Sequence, residues 1–173
     1  MSLRAMQGSM SKQLINHEKY VPALINFVGN KLATGASNAY RREFGIGVTE
    51  WRILSLLAIA DTYSAQQICQ FFDLDKGLVS RTTKSLVKNG VVRVVAQAGG
   101  VKRAIVLTKA GRALHDRVIK LALKREKVLL ACLSENETDV LVDLLRRLLD
   151  QAPAVNAVQS GHGQPASRRK EPT

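Results

Sequence analysis

Apolar residues recur along this 173-residue chain at helical spacing in six stretches and in β-branched runs in two. The most informative stretch lies between Ser64 and Leu107. Ser64, followed three residues on by Gln67, predicts a helix start, because the hydroxyl accepts from the Gln67 N–H while the Gln67 side chain reaches back. Ile68 and Phe72, four apart, give that short helix one apolar face. Asp73 and Leu74 break the pattern. A second helix is predicted from near Asp75 to Asn89, with Val79, Leu86 and Val87 on its apolar side. Lys76, Ser80, Arg81, Lys84 and Lys88 take the other side, with no acid after Asp75. Asn89 and Gly90 predict a left-handed stop. Val91 to Val95 and Arg103 to Leu107 then form two strand-like runs, joined by a glycine-containing connection that suits a hairpin with Lys102 and Arg103 near its tip. Two short helices, a tight turn and a two-stranded ribbon describe a winged helix-turn-helix over residues 48–107.

Helices flank this module on both sides. Val21, Leu24, Ile25, Val28, Leu32, Ala36, Ala39 and Tyr40 predict a long helix from about His17 or Pro22 to Glu43, with Pro22 suited to its first turn. Phe44 to Gly47 reads as a turn, and Thr49 as the cap of a helix from Glu50 to about Ala60 bearing Trp51, Ile53, Leu54 and Leu57. After the hairpin, Thr108 is expected to cap a helix with Ala110, Leu114, Val118, Leu121, Arg125, Val128 and Cys132 in rough heptads. Ser134 and Glu137 form a capping box for a last helix striped by Val140, Leu141, Leu144, Leu145 and Leu148, which Pro153 should end. The first and last stripes exceed what one small module needs for its own core, so 17–44 and 108–152 are expected to dimerise. Residues 1–16 read as a flexible leader and 153–173, with Arg168, Arg169 and Lys170, as a disordered basic tail. The fold class expected is mainly α with a small β-hairpin wing (α+β), a single domain over 17–152.

Charge narrows the partner. Lys plus Arg number 26 against 14 acids, a net charge of +12, which favours a polyanionic partner, nucleic acid or an acidic membrane surface. The apolar runs are too short to cross a bilayer and no signal pattern opens the chain, so no membrane partner and a cytoplasmic location are expected. Cys69 and Cys132, far apart and without CxxC spacing, read as small core residues of a reducing compartment rather than reactive thiols. His17, His115 and His162 lack carboxylate or cysteine partners at ligand spacing, so neither metal nor cofactor is expected. The chain has no nucleophile elbow, Walker loop or dinucleotide fingerprint, and does not read as an enzyme.

Three segments carry a resemblance to a known family: Phe44 to Leu54, Leu74 to Arg81 with Leu86 and Asn89 to Val92, and Leu107 to Arg112. Over about Tyr40 to Leu149 the chain resembles the MarR (multiple antibiotic resistance regulator) family. The Ser80-Arg81 pair followed by Leu86 and Gly90, and the Leu-Thr-x-x-Gly of Leu107 to Gly111, are its most specific matches. The resemblance implies a homodimer whose recognition helix enters the major groove while each wing reaches an adjacent minor groove. It also implies, for many members, release from DNA on binding a small aromatic or phenolic ligand. Lys76, Gly77, Ser80, Arg81, Lys84, Lys102 and Arg103 are thereby the expected DNA contacts, and Tyr40, Trp51 and Tyr63 the candidate ligand residues.

This sequence departs from the family pattern in three places. Members commonly carry Asp-x-Arg-Asp-Arg-Arg in the wing, whereas residues 97–103 hold no acid to orient Arg103. Gly77 stands where Ser or Thr is usual, which reads as one contact removed. Asp73 replaces the usual turn glycine, and aspartate tolerates left-handed geometry better than most residues. The function expected is a repressor that binds a palindromic double-stranded operator. The alternative is a winged-helix interaction or assembly module with only nonspecific nucleic-acid contact.

Overall fold

The computed structural model describes residues 14–60, 62–96 and 103–158. Six helices and one hairpin follow in the order α1 (Val21–Phe44), α2 (Val48–Ile59), α3 (Ala65–Phe72), α4 (Lys76–Lys88), β1 (Val92–Ala96), β2 (Arg103–Leu107), α5 (Lys109–Leu130) and α6 (Glu135–Asn156). The chain divides into two compact units, residues 1–124 and 125–173. The expected leader and tail lie largely outside the described residues.

In the first unit, α2 is the hub. It packs against α1, α4 and β2, while α3 packs against α4 and α4 against β1. Ile53, Leu54, Leu57, Ile68, Val79, Leu86, Val92 and Val118 are fully buried and draw the helices and hairpin into one core. Burying such side chains is the largest favourable term available to a module this small, roughly 1.5–3 kcal/mol each. The hairpin is antiparallel, with Val92 opposite Leu107 and Ala96 opposite Arg103. Tyr63 adds an isolated bridge to Ile105, donating its N–H to the Ile105 carbonyl and accepting from the Ile105 N–H.

Local signals explain most element ends. Pro22 falls in the first turn of α1, where its missing N–H is harmless, and Gly45 (φ 71°) closes that helix in the left-handed region. Ser64 and Gln67 make the reciprocal box at α3. Asp75 accepts from the Leu78 N–H at 2.9 Å and caps α4.

Four expectations are corrected. Thr49 does not cap α2; the helix begins at Val48, Gly47 is its N-cap, and the Glu50 carboxylate accepts the Gly47 N–H at 3.1 Å. The inward face of α4 is Val79, Thr82, Thr83 and Leu86, whereas Val87 is exposed. Helix α6 runs through Pro153 to Asn156. A proline so near the end removes only one bond to the carbonyl four residues back, in a turn whose remaining carbonyls are unpaired in any case. Cys132 is exposed rather than core, while Cys69 packs against the core.

In the second unit, Ser134 and Glu137 form the expected capping box of α6. No residue of α6 is buried.

Candidate nucleic-acid interface

Helix α4 owes its position to both of its ends. At the start, α3 ends in Asp73, whose φ of 50° turns the chain through the left-handed region while its N–H donates to the Cys69 carbonyl. Leu74 also donates to that carbonyl, at 3.0 Å, and Asp75 opens the next helix two residues later. The aspartate expected to tolerate this turn therefore occupies it, at a modest energetic cost for a residue with a Cβ. At the other end, Gly90 (φ 66°) lets the chain leave α4 and enter β1.

With Val79, Thr82, Thr83 and Leu86 facing the core, Lys76, Ser80, Arg81, Lys84 and Lys88 are left exposed on the outside. No ion pair among the described residues involves those four cations. A helix face carrying four unneutralised cations and one hydroxyl attracts polyanions and offers donors to phosphate oxygens and to guanine edges. Gly77 lies half-buried one turn before Arg81 on the same side of the helix.

The hairpin contributes less that can be described. Arg103 is exposed at the start of β2, while Lys102 lies outside the described residues. Sequence reasoning passed over Arg93, an exposed cation in β1 opposite Val106. The signal was available: in Val92-Arg93-Val94, a lone charge inside a β-branched run marks a strand position that faces water.

The first turn of α5 locks onto the chain where it leaves α4. Thr108 donates its hydroxyl to the Gly90 carbonyl at 2.7 Å and to Val91 at 3.1 Å, and accepts from the Gly111 N–H at 3.0 Å. A Cβ on Gly111 would collide with the Val91 carbonyl oxygen. Arg112 donates to the Ala58 carbonyl at 3.1 Å, near the end of α2. The Leu-Thr-x-x-Gly sequence is thus a joint that holds the far end of α4 against α5.

Of the three aromatic ligand candidates, two adjoin. Tyr40 meets Trp51 edge-on at 6.0 Å, and Trp51 in turn stacks on His115 at 5.4 Å and 20°. Tyr63 is engaged instead through its backbone with β2. His115 Nδ1 lies 3.0 Å from Oδ1 of its sequence neighbour Asp116. A carboxylate can only accept, so Nδ1 carries the proton in that contact. Among the described residues no three His, Cys, Asp or Glu gather as a metal site, and no helix is long and apolar enough to cross a membrane.

Known proteins share this arrangement. A family model described as "MarR family" matches residues 44–104, which hold α2, α3, α4, β1 and the start of β2. A MarR/EmrR family transcriptional regulator from Acinetobacter sp. ADP1 is 39% identical, with 81% of this chain and 99% of that one covered and a TM-score of 0.76. S. aureus MepR, solved as a DNA complex, superposes with a TM-score of 0.70 at 19% identity, covering 79% of this chain and 99% of MepR. PcaV from Streptomyces coelicolor, solved with its natural ligand, gives 0.69 at 18% identity, covering 81% and 99%. The last two likenesses concern the fold alone. The Acinetobacter relative, nearly all of which this chain covers, carries the family assignment: the chain belongs to the MarR family of transcriptional regulators.

Proposed function

We propose that this regulator is a homodimeric repressor that grips a palindromic operator. Lys76, Gly77, Ser80, Arg81 and Lys84 would face the major groove, while Lys102 and Arg103 reach the backbone or minor groove from the wing. The observation that carries the reading is the outer face of α4, where four exposed cations have no ion-pair partner among the described residues. Such a face suits the groove of a duplex and gives no advantage to a helix that merely packs against protein. Dimerisation follows from symmetry, since two copies related by a two-fold axis match an inverted repeat. The DNA complex of MepR, a protein of the same fold, supports this use of the module.

Ligand release is part of the same proposal. The adjoining rings of Tyr40 and Trp51, with His115 stacked beyond them, place apolar and polar groups together between α1, α2 and α5. PcaV, with the same fold, was solved with its natural ligand. A small aromatic acid that lodges beside these rings would shift α1 or α5 and loosen the grip on DNA.

Selection of bound fragments from genomic DNA, followed by titration on the recovered duplex and on random duplex, tests the reading. The expected result is an inverted repeat bound ~10³-fold or more tightly than random DNA. Equal affinity for both duplexes would reduce the protein to a nonspecific binder or an assembly module. Adding a panel of aromatic acids to the same titration tests release. An unchanged affinity across the panel would remove the ligand part alone.

A further inference from the structure

Gly77 has no backbone reason to be glycine. It lies in the first turn of α4, and only Gly45 and Gly90 among the described glycines have positive φ. In an ordinary helical conformation glycine weakens the helix relative to alanine, because it loses more freedom on folding. Its family-level reading as a lost hydroxyl contact describes only what is absent. The space around it shows what is gained.

A Cβ built on Gly77 would stand 3.1 Å from Arg81 Nη1 and 3.8 Å from Arg81 Cζ, and 2.9 Å from Asp75 Oδ1. Long side chains on a helix lean toward the N-terminus, over the residue four positions earlier. For Arg81 that residue is Gly77. The guanidinium therefore lies back over the notch that the missing side chain leaves, with the capping carboxylate of Asp75 on the notch's other side and no ion pair between the two. That carboxylate also accepts from the Leu78 N–H, which keeps it in place. The N-terminal residues of a recognition helix are the ones that meet base edges. A guanidinium held there reaches different edges from one that projects straight out at position 81.

We propose that Gly77 is a specificity-determining residue that acts by leaving space, setting the direction in which Arg81 presents its forked donors. The inference rests on the reading that Arg81 contacts a base. It assigns Gly77 no contact of its own. A methyl group at 77 would press the Arg81 guanidinium outward by a few tenths of an ångström, and a larger side chain would fill the notch. Either would also crowd the Asp75 carboxylate at 2.9 Å, which has to shift while it keeps the Leu78 N–H.

The test is binding selection from randomised duplexes with the full-length protein in four forms: wild type, Gly77→Ala, Arg81→Ala and the double variant. Gly77→Ala should change the preferred base at one position per half-site and weaken the wild-type operator about tenfold, the scale of one mismatched contact. Its melting temperature should stay close to that of wild type, alanine's better helix propensity offsetting a weakened Asp75 cap, and its loss of affinity for random duplex should be smaller than its loss at the operator. In the Arg81→Ala background, adding Gly77→Ala should leave the preference profile unchanged. A shift that persists without Arg81 would overturn the proposal, because Gly77 would then be making room for the DNA itself. A Gly77→Ala profile identical to wild type, with Arg81→Ala altered, would also overturn it while leaving Arg81 as a base reader. If Arg81→Ala keeps the wild-type profile, Arg81 reads no base and the proposal falls with that reading.

Discussion

The module from α2 to β2 and the terminal helices are built on opposite terms. In the module, Ile53, Leu54, Leu57, Ile68, Val79, Leu86 and Val92 are fully buried within a single copy, and the exposed large apolar side chains, Ile59, Phe71, Val87 and Val94, are scattered over four different elements. Along α1, Val21, Leu24, Ile25, Phe27, Val28 and Leu32 stay exposed, and burial begins only toward Ala36, Ala39 and Tyr40. On α6, Val140, Leu144, Leu145, Leu148 and Leu149 are exposed, the last at 72%. Contiguous apolar surface of that kind marks an interface. One region is complete in one chain and the other is not. The difference fits the proposed roles, in which the module is a self-contained reader and the exposed stripes of α1 and α6, each taken by itself, are candidates for coupling two copies.

The largest expected effect comes from attacking the incomplete region. Leu148→Asp places an unpaired carboxylate in the proposed seam, where desolvation costs several kcal/mol. The variant should sediment as a monomer at micromolar concentration and bind operator at least ~100-fold more weakly, since one half-site alone then holds it. A dimeric, fully active Leu148→Asp would show that this stripe is not the interface. Gly111→Ala attacks the complete region instead. Its methyl group meets the Val91 carbonyl at the α4–α5 joint, so it should destabilise the fold by about 2–3 kcal/mol. Urea unfolding followed by the fluorescence of Trp51 measures this, and an unchanged midpoint would contradict the close approach.

A smaller effect distinguishes reading from gripping within the module. Arg81→Ala should cost ~1–3 kcal/mol at the operator and compress the ratio of specific to nonspecific affinity. Replacing Lys102 and Arg103 together with Ala should weaken all duplexes evenly. It should also flatten the salt dependence by roughly one to two units of slope per subunit, because fewer counterions are displaced. Gel-shift titrations at several salt concentrations decide between them. If the wing variant alone loses discrimination, the two roles are reversed.

The smallest expected effect concerns the start of α6. The Ser134 N–H and hydroxyl both donate to the Glu137 carboxylate and hold its pKa below the usual 4.5. The folded value is depressed, so this cap is present above pH 4.5 and is lost as pH falls through the lowered folded value. The Ser134 amide proton shift should titrate with a midpoint below that of an ordinary glutamate. The titration should vanish in Glu137→Gln, which keeps the box uncharged. A midpoint at or above the ordinary glutamate value would contradict the contact.

What the sequence disclosed follows from how local each signal is. The Ser64 box, the Asp75 cap, the Asp73 turn and the Asn89-Gly90 stop each depend on a few adjacent residues, and each was legible. The inward face of α4 was misread because hydrophobicity stood in for direction. Val87 lies about 80° around the helix from Val79, while Thr82 and Thr83 lie within about 60° of it on either side. Two threonines therefore face the core and a valine faces water. Thr49 lost the capping role to Gly47 because a reaching Glu50 suffices without a hydroxyl at the cap position. The Trp51–His115 stack joins residues 64 apart in sequence, and the notch at Gly77 depends on the course of one arginine. Neither leaves a mark in spacing.

The comparison between reader and coupling surface is tested most directly by sedimentation of the full-length protein, alone and on its selected duplex. Without DNA, the protein should sediment as a dimer at micromolar concentration and below. With DNA, one dimer should load per duplex, protecting two half-sites about one helical turn apart, the spacing that a two-fold pair of recognition helices spans. A protein that sediments as a monomer, or that loads onto the duplex as two independent copies, would contradict it.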